Sequence, residues 1–308
     1  MIEQEAAFWA GQAEDAAMKG FSPDLEKPFA ATTVQAIWDD SELDFMIRGK
    51  YIDRILDYCS GRPQLDCLEL CCGTGMLALG VSRRGARVIG IDVSPRVIEI
   101  AETYARDSGI PPERLEYHVC DLNRVSLPEE RFDVVFAWDG LHHIAEIEHL
   151  VSEVRKTLRD GGVFVVHDHA KGDSRIGDIV LQGLAAILGL IVPTDSSFLA
   201  KLKMVFKRAS PMTAPTSVDN HRLLDSPFED VSGEGIVESI TENFRILEFE
   251  RYLSLPGTLY ARVWRNPKTR TRTIGALMAF DRLLCGLHIL HPEYFFIMAK
   301  KETVHSDD

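Results

Sequence analysis

No apolar run in this sequence reaches the length of a membrane span. The longest, Ile179 to Val192, is interrupted by Gln182 and falls short of the ~20 residues a transmembrane helix needs. Basic residues are also scarce. The 34 Lys and Arg stand against 47 Asp and Glu, and the formal charge of -13 repels phosphate backbones and argues against nucleic acid as the main partner. The six cysteines (Cys59, Cys67, Cys71, Cys72, Cys120, Cys285) lack the paired spacings of a zinc ribbon or a secreted disulfide framework, so reduced, buried thiols are expected. The first residues are acidic where a signal peptide is basic, which sets the cytoplasm as the expected compartment. No internal repeat is present.

What remains is 308 residues, 45% of them hydrophobic, enough for one sizeable α/β core with additions. The chain is organised around Leu65–Ala78, an apolar run that stops in a glycine turn and resumes with helical spacing, as strand, turn and helix. Such a junction bends without a Cβ clash and brings a ligand close to the main chain.

Residues 1–40 carry scattered aromatics with breaks at Ser22-Pro23 and Pro28, and predict one or two short helices. Ser41 and Asp44 fit a capping box ahead of a helix over 42–58, striped by Leu43, Ile47, Tyr51, Ile55 and Leu56. Strands are predicted at 65–70, 86–92, 115–121, 132–138 and 162–168. A helix from the Ser94 N-cap and Pro95 runs to about Asp107, and another, marked by Ile147, Leu150, Val151, Val154 and Leu158, closes at Gly161-Gly162. Strands alternating with helices imply a parallel sheet with helices on both faces and ligands at the carboxyl ends of the strands. Residues 170–240 break the rhythm with an apolar helix near 178–192, read as core or a dimer face, a basic piece Lys201–Arg208, and a Pro/Thr/Ser loop over 209–219. A strand over 244–253, a segment with Tyr260, Val263 and Trp264, a helix near 272–288 and a last strand over 293–300 follow.

Gly73-x-Gly75-x-x-Ala78, with Asp92 seventeen residues beyond Gly75, places a carboxylate within reach of a ribose diol, a geometry that serves NAD, FAD and S-adenosylmethionine alike. Two features separate them. Glu69, four residues before Gly73, would meet pyrophosphate unfavourably but tolerates a cationic sulfonium, and Asp121-Leu122 sets an acceptor beside an apolar contact suited to adenine. His142 and His143 follow the fourth strand, where a near-neutral imidazole suits a general base or a wall of the site. His167 and His169 share a strand face and, with Asp168 or His143, could hold a metal. No third ligand spacing supports that, so a polar substrate pocket using His169 is expected and no metal is.

Leu68–Gly75, Gly90–Ser94, Cys120–Leu122, Phe132–Val135 and Leu141–Ile144 together resemble the class I S-adenosylmethionine-dependent methyltransferases, on the small-molecule branch of quinone-biosynthesis and natural-product enzymes. The resemblance covers about 62–168 and implies a Rossmann-like methyltransferase fold, a seven-stranded, mostly parallel sheet in the order 3-2-1-4-5-7-6, with N-terminal helices and helical insertions after strand five and between strands six and seven. The rhythm of the chain divides it into a helical cap (1–60), a cofactor-binding core (61–170), a helical and loop insertion expected as substrate lid or dimer element (171–243) and a completion of the sheet (244–308), of which the ends and 170–290 match no known family. The resemblance puts Glu69, Cys71, Gly73 and Gly75 against the methionine part of the cofactor, Asp92 and Val93 at the ribose, Asp121 and Leu122 at the adenine, and Trp138 on the strand-four wall. Cys71 and Cys72 replace the Gly or Ala usual there. The implied activity is methyl transfer from S-adenosylmethionine to a small molecule, on a hydroxyl or carboxyl oxygen of a secondary metabolite, and the inserted segments allow for a homodimer contact. Transfer to nitrogen or carbon, an NAD-dependent oxidoreductase and a non-catalytic cofactor-binding module are the alternatives, and the acceptor stays open.

Overall fold

The computed structural model describes residues 2–26, 41–62, 64–170, 226, 235–253, 270–287 and 292–302. Seven strands form one sheet: β1 (Asp66–Leu70), β2 (Arg87–Asp92), β3 (Leu115–Val119), β4 (Phe132–Trp138), β5 (Leu158–His169), β6 (Arg245–Tyr252) and β7 (Tyr294–Lys300). Their order is β3-β2-β1-β4-β5-β7-β6, as the family resemblance implies. The first five pair in parallel and β7 runs antiparallel to β5, with His167 opposite Phe296. Every residue of β1 is buried, as befits a central parallel strand covered on both faces, whereas the edge strand β6 alternates between exposed and partly buried residues up to buried Tyr252 and the edge strand β3 leaves Glu116, His118 and Val119 exposed.

The helices among the described residues are α1 (Ile2–Met18), α2 (Ser41–Cys59), α3 (Met76–Ser82), α4 (Pro95–Asp107), α5 (Ile147–Thr157), α6 (Gly235–Asn243) and α7 (Arg270–Gly286), with a single 3₁₀ turn at Leu141–His143. The chain resolves into two compact units. The first comprises Met1–Lys171, Leu224–Glu250 and Tyr294–Asp308, and the second Gly172–Leu223 and Arg251–Glu293. In the first, Leu68, Leu70, Val135, Phe164 and Phe295 form a sheet core joined by Leu150 and Val154 of α5 and Ile236 and Ile240 of α6. In the second, α7 buries Ile274, Leu277 and Asp281, whose carboxylate accepts the Leu253 N–H at 2.7 Å.

Several elements depart from the expected ones for local reasons. One helix, α1, precedes Ser22, and any second one falls on residues 27–40, outside the described residues. Both carboxylate oxygens of Asp44 take Arg48, at 2.5 and 2.9 Å, in place of the expected capping-box partner. Ser94 stands at the α4 N-cap position, but its hydroxyl donates to the Ala6 carbonyl of α1 at 2.8 Å. Helix α5 ends without its glycine pair: the fully buried Leu158 already pairs with Phe132, so β5 begins there and contains Gly161-Gly162 behind a register irregularity. Helix α6 was not anticipated, although Ile236 and Ile240 carry the i, i+4 spacing that marks it. The segments 178–192, Lys201–Arg208, 209–219 and 260–264 lie outside the described residues.

Candidate active site

The turn after β1 is built from left-handed backbone, with φ of +52° at Cys71, +52° at Gly73 and +84° at Gly75. It is tied to the next strand by the Cys72 N–H, which donates to the Ile91 carbonyl at 3.0 Å. A Cβ on Gly75 would stand 2.1 Å from the hydroxyl oxygen of Tyr117, so the glycine is required by the ring that β3 lays across the turn. Gly75 thus stands behind the cleft, against Tyr117, while Gly73 lines it.

Glu69, Asp92 and Asp121, from the tips of three neighbouring strands, line one cleft of about 880 Å³, counting the space at its mouth. Cys71, Val93, Leu122 and Trp138 line it too. Glu69 accepts the Ala78 N–H of α3 at 2.8 Å, and Asp92 accepts the N–H groups of Gly73 and Ser94, each at 3.0 Å. Burial raises the pKa of both carboxyls, and these hydrogen bonds only partly oppose it. Asp121 accepts the backbone and side-chain N–H groups of Asn123, both at 3.0 Å.

The three candidate histidines come together beyond the tips of β4 and β5, with ring centroids 4.0 Å apart for His142 and His143 and 4.6 Å for His142 and His169. Only His143 lines the cleft. His142 Nδ1 lies 2.5 Å from Asp168 Oδ1, while Asp168 Oδ2 accepts the N–H groups of Gly140 and Leu141 at 3.2 and 2.7 Å. Burial would raise the Asp168 pKa, but the charge and hydrogen bond of His142 outweigh it and hold the carboxyl below its ordinary value. His143 faces Ser226 Oγ at 3.1 Å and Glu5 Oε1 at 3.3 Å, and burial, with His142 beside it, brings its pKa down to about 3.

Sequence reasoning missed a second network. Asp139, at φ +49°, carries a carboxylate gripped by buried Arg48 and by His167 Nδ1 at 2.7 Å. Burial would raise the Asp139 pKa, but Arg48 and His167 outweigh it and hold the carboxyl well below its usual range. The His167 ring stacks on Trp138 at 3.9 Å, committing it to the wall of the site. Among the described residues, no group of three His, Cys, Asp or Glu is arranged for a metal ion. Glu5 and Trp9 of α1 also line the cleft, and the Trp9 indole donates to Glu5 at 2.7 Å. Trp9 and Arg48 each have one partner four residues away, but the contacts that carry Arg48 and His167 to Asp139 span 91 and 28 positions, beyond any local pattern. Asp168 alone had a signal, the His-Asp-His run.

The described lining holds five carboxylates (Glu5, Glu69, Asp92, Asp121, Asp139) and no Lys or Arg. That set of acidic groups opposes pyrophosphate and suits a sulfonium cation. The family described as "Methyltransferase domain" matches residues 67–162. A ubiquinone biosynthesis O-methyltransferase of Rhizobium etli is 35% identical over 112 residues, 36% of this chain and 44% of that protein. A sterol 4-C-methyltransferase of Caenorhabditis elegans is 29% identical over 105 residues, 34% of this chain and 31% of its own. The chain spans less than half the length of these relatives. A solved S-adenosylmethionine dependent methyltransferase from Mesorhizobium loti is similar over 84% of this chain and 99% of its own, at 18% identity and a TM-score of 0.46. Residues 67–162 are therefore a methyltransferase domain of the class I, S-adenosylmethionine-dependent kind.

Proposed function

We propose that this protein methylates a hydroxyl oxygen of a small molecule. The observation that carries the reading is His143, the candidate histidine on the cleft lining, with Nδ1 held 3.1 Å from Ser226 Oγ and 3.3 Å from Glu5 Oε1. S-adenosylmethionine, when bound, supplies a methyl group already activated on a sulfonium. Asp168, fixed by two backbone N–H groups, holds His142 against His143, their ring centroids 4.0 Å apart. His143 takes the hydroxyl proton as the oxygen–methyl bond forms and the carbon–sulfur bond breaks, so the products are a methyl ether, S-adenosylhomocysteine and a protonated imidazole. With its pKa depressed to about 3, His143 is neutral before the step and gives the proton up to water after it. Glu69, Asp92 and Asp121 hold the cofactor, with Leu122 against the adenine. The remaining task is alignment of the nucleophile and exclusion of water, to which α1 contributes by laying Glu5 and Trp9 on the lining.

The R. etli relative, named for O-methylation, supports oxygen, and the C. elegans relative makes carbon the reading to exclude. A homodimer and a cytoplasmic setting, without a nucleic-acid partner, belong to the same proposal. It is tested by incubating the purified protein with deuteromethyl-labelled S-adenosylmethionine and a panel of phenols and catechols, and reading label in the product by mass spectrometry. His143→Ala is expected to lower turnover by about a hundredfold or more while leaving S-adenosylhomocysteine affinity intact. Binding of NADH in place of S-adenosylhomocysteine overturns the methyltransferase reading, and label on carbon overturns the oxygen reading.

A further inference from the structure

Trp138 lies at the tip of β4, 6% exposed and on the lining of the cleft. Its indole Nε1–H is buried with no hydrogen-bond partner among the described residues. An indole nitrogen can only donate, and a buried donor left without an acceptor costs about 1–3 kcal/mol, so such groups in a cleft wall mark a place where a ligand completes the bond. The ring cannot readily turn to find another partner: His167 stacks on it with planes 15° apart, and the Arg48 guanidinium lies 5.5 Å from its centroid.

The sheet order says which ligand is served. Asp92 and Asp121, the ribose and adenine candidates, follow β2 and β3 on one side of β1, and Trp138 ends β4 on the other. The charge of the cleft says what kind of atom it is. Five carboxylates face the cleft with no Lys or Arg on the described lining, and Arg48 beside the ring is taken by Asp44 and Asp139, so a carboxylate added to the acceptor would enter without a counter-ion. We propose that Trp138 is a specificity-determining residue whose indole N–H donates to a neutral oxygen of the methyl acceptor, adjacent to the hydroxyl that is methylated. The assignment rests on the methyltransferase reading above, and selects catechol-like or hydroxycarbonyl acceptors over their carboxylated analogues.

The test uses the full chain with ¹⁵N-labelled indoles, in which the Trp138 signal is identified by its loss in Trp138→Phe. Should that variant not fold, single phenylalanine replacements of Trp9, Trp38 and Trp264 identify it by elimination. Catechol added to the S-adenosylhomocysteine complex is expected to move the Trp138 indole proton downfield, and 3,4-dihydroxybenzoate to bind more weakly than catechol. Trp138→Phe is expected to weaken catechol about tenfold, the loss of one buried hydrogen bond, while changing S-adenosylhomocysteine affinity less than about twofold. A downfield shift on S-adenosylhomocysteine alone, an equal loss of cofactor affinity in the variant, tighter binding of the carboxylate, or no shift with catechol overturns the assignment. Failure of the wild-type protein to bind S-adenosylhomocysteine overturns instead the reading on which it rests.

Discussion

Cys71 and Gly140 fit together by exclusion: a Cβ on Gly140 would lie 2.4 Å from the Cys71 Cβ, and the Cys71 Sγ–H donates to the Gly140 carbonyl at 3.4 Å. Cys71 occupies a left-handed position, φ +52°, where the family usually has a small residue. Burial raises its pKa well above the ordinary thiol value, keeping it protonated and a donor. The side chain gained at 71 thus demands a missing one at 140, and the two strand-tip loops that frame the site are locked to one another.

This pairing predicts strong coupling. Gly140→Ala should destabilise the protein by about 1–3 kcal/mol through overpacking, and the same change in a Cys71→Gly background should cost markedly less. Urea denaturation of the four proteins of the cycle measures it. Strict additivity would show that the contact does not constrain the loops.

Asp92→Asn should weaken S-adenosylhomocysteine roughly ten- to a hundredfold by calorimetry, since one carboxylate oxygen accepts the Gly73 N–H and the other the Ser94 N–H, and the amide cannot reproduce both. An unchanged affinity would remove Asp92 from the cofactor site.

Arg48→Met should cost about 3–5 kcal/mol, because it strands the carboxylates of Asp44 and Asp139, both in direct contact with the buried guanidinium. Burial would lower the arginine pKa, yet the two aspartates outweigh it, so the cation is permanent. The triple replacement Asp44→Asn, Arg48→Met, Asp139→Asn should recover a large part of the loss. Recovery in thermal melts separates stranded charge from lost packing.

His143 has a folded-state pKa of about 3, below its unfolded value of about 6.5. The unfolded chain therefore binds the proton first, and stability contributed by the neutral ring is intact above pH 6.5 and lost as pH falls toward 3, at up to about 1.4 kcal/mol per pH unit. Glu69 and Asp92, whose pKa values are raised by burial, act in the opposite sense, so the wild-type curve alone does not isolate the histidine. His143→Asn does: its stability relative to wild type should rise steadily as pH is lowered from 6.5 to 4 in urea titrations. A constant difference across that range would contradict the buried, neutral imidazole.

The sequence by itself determined the sheet and the acidic side of the cleft. Apolar-rich strands, a glycine turn and acidic residues at successive strand ends are local signals, each read within about ten residues, and they set β1 to β4, the place of β6 and β7, and the gathering of Glu69, Asp92 and Asp121 on one cleft. Only the tertiary structure decided the histidine side. The grip of Arg48 on Asp139, of Asp168 on His142, and the approach of Glu5 and Ser226 to His143 join residues 91, 26, 138 and 83 positions apart. Side chains so separated leave no periodicity, because what brings them together is the crossing of β4 and β5 tips with α1 and α2. The capping roles of Asp44 and Ser94 misled for the same reason: a polar side chain offered a local backbone group and a distant partner takes whichever the fold buries with it.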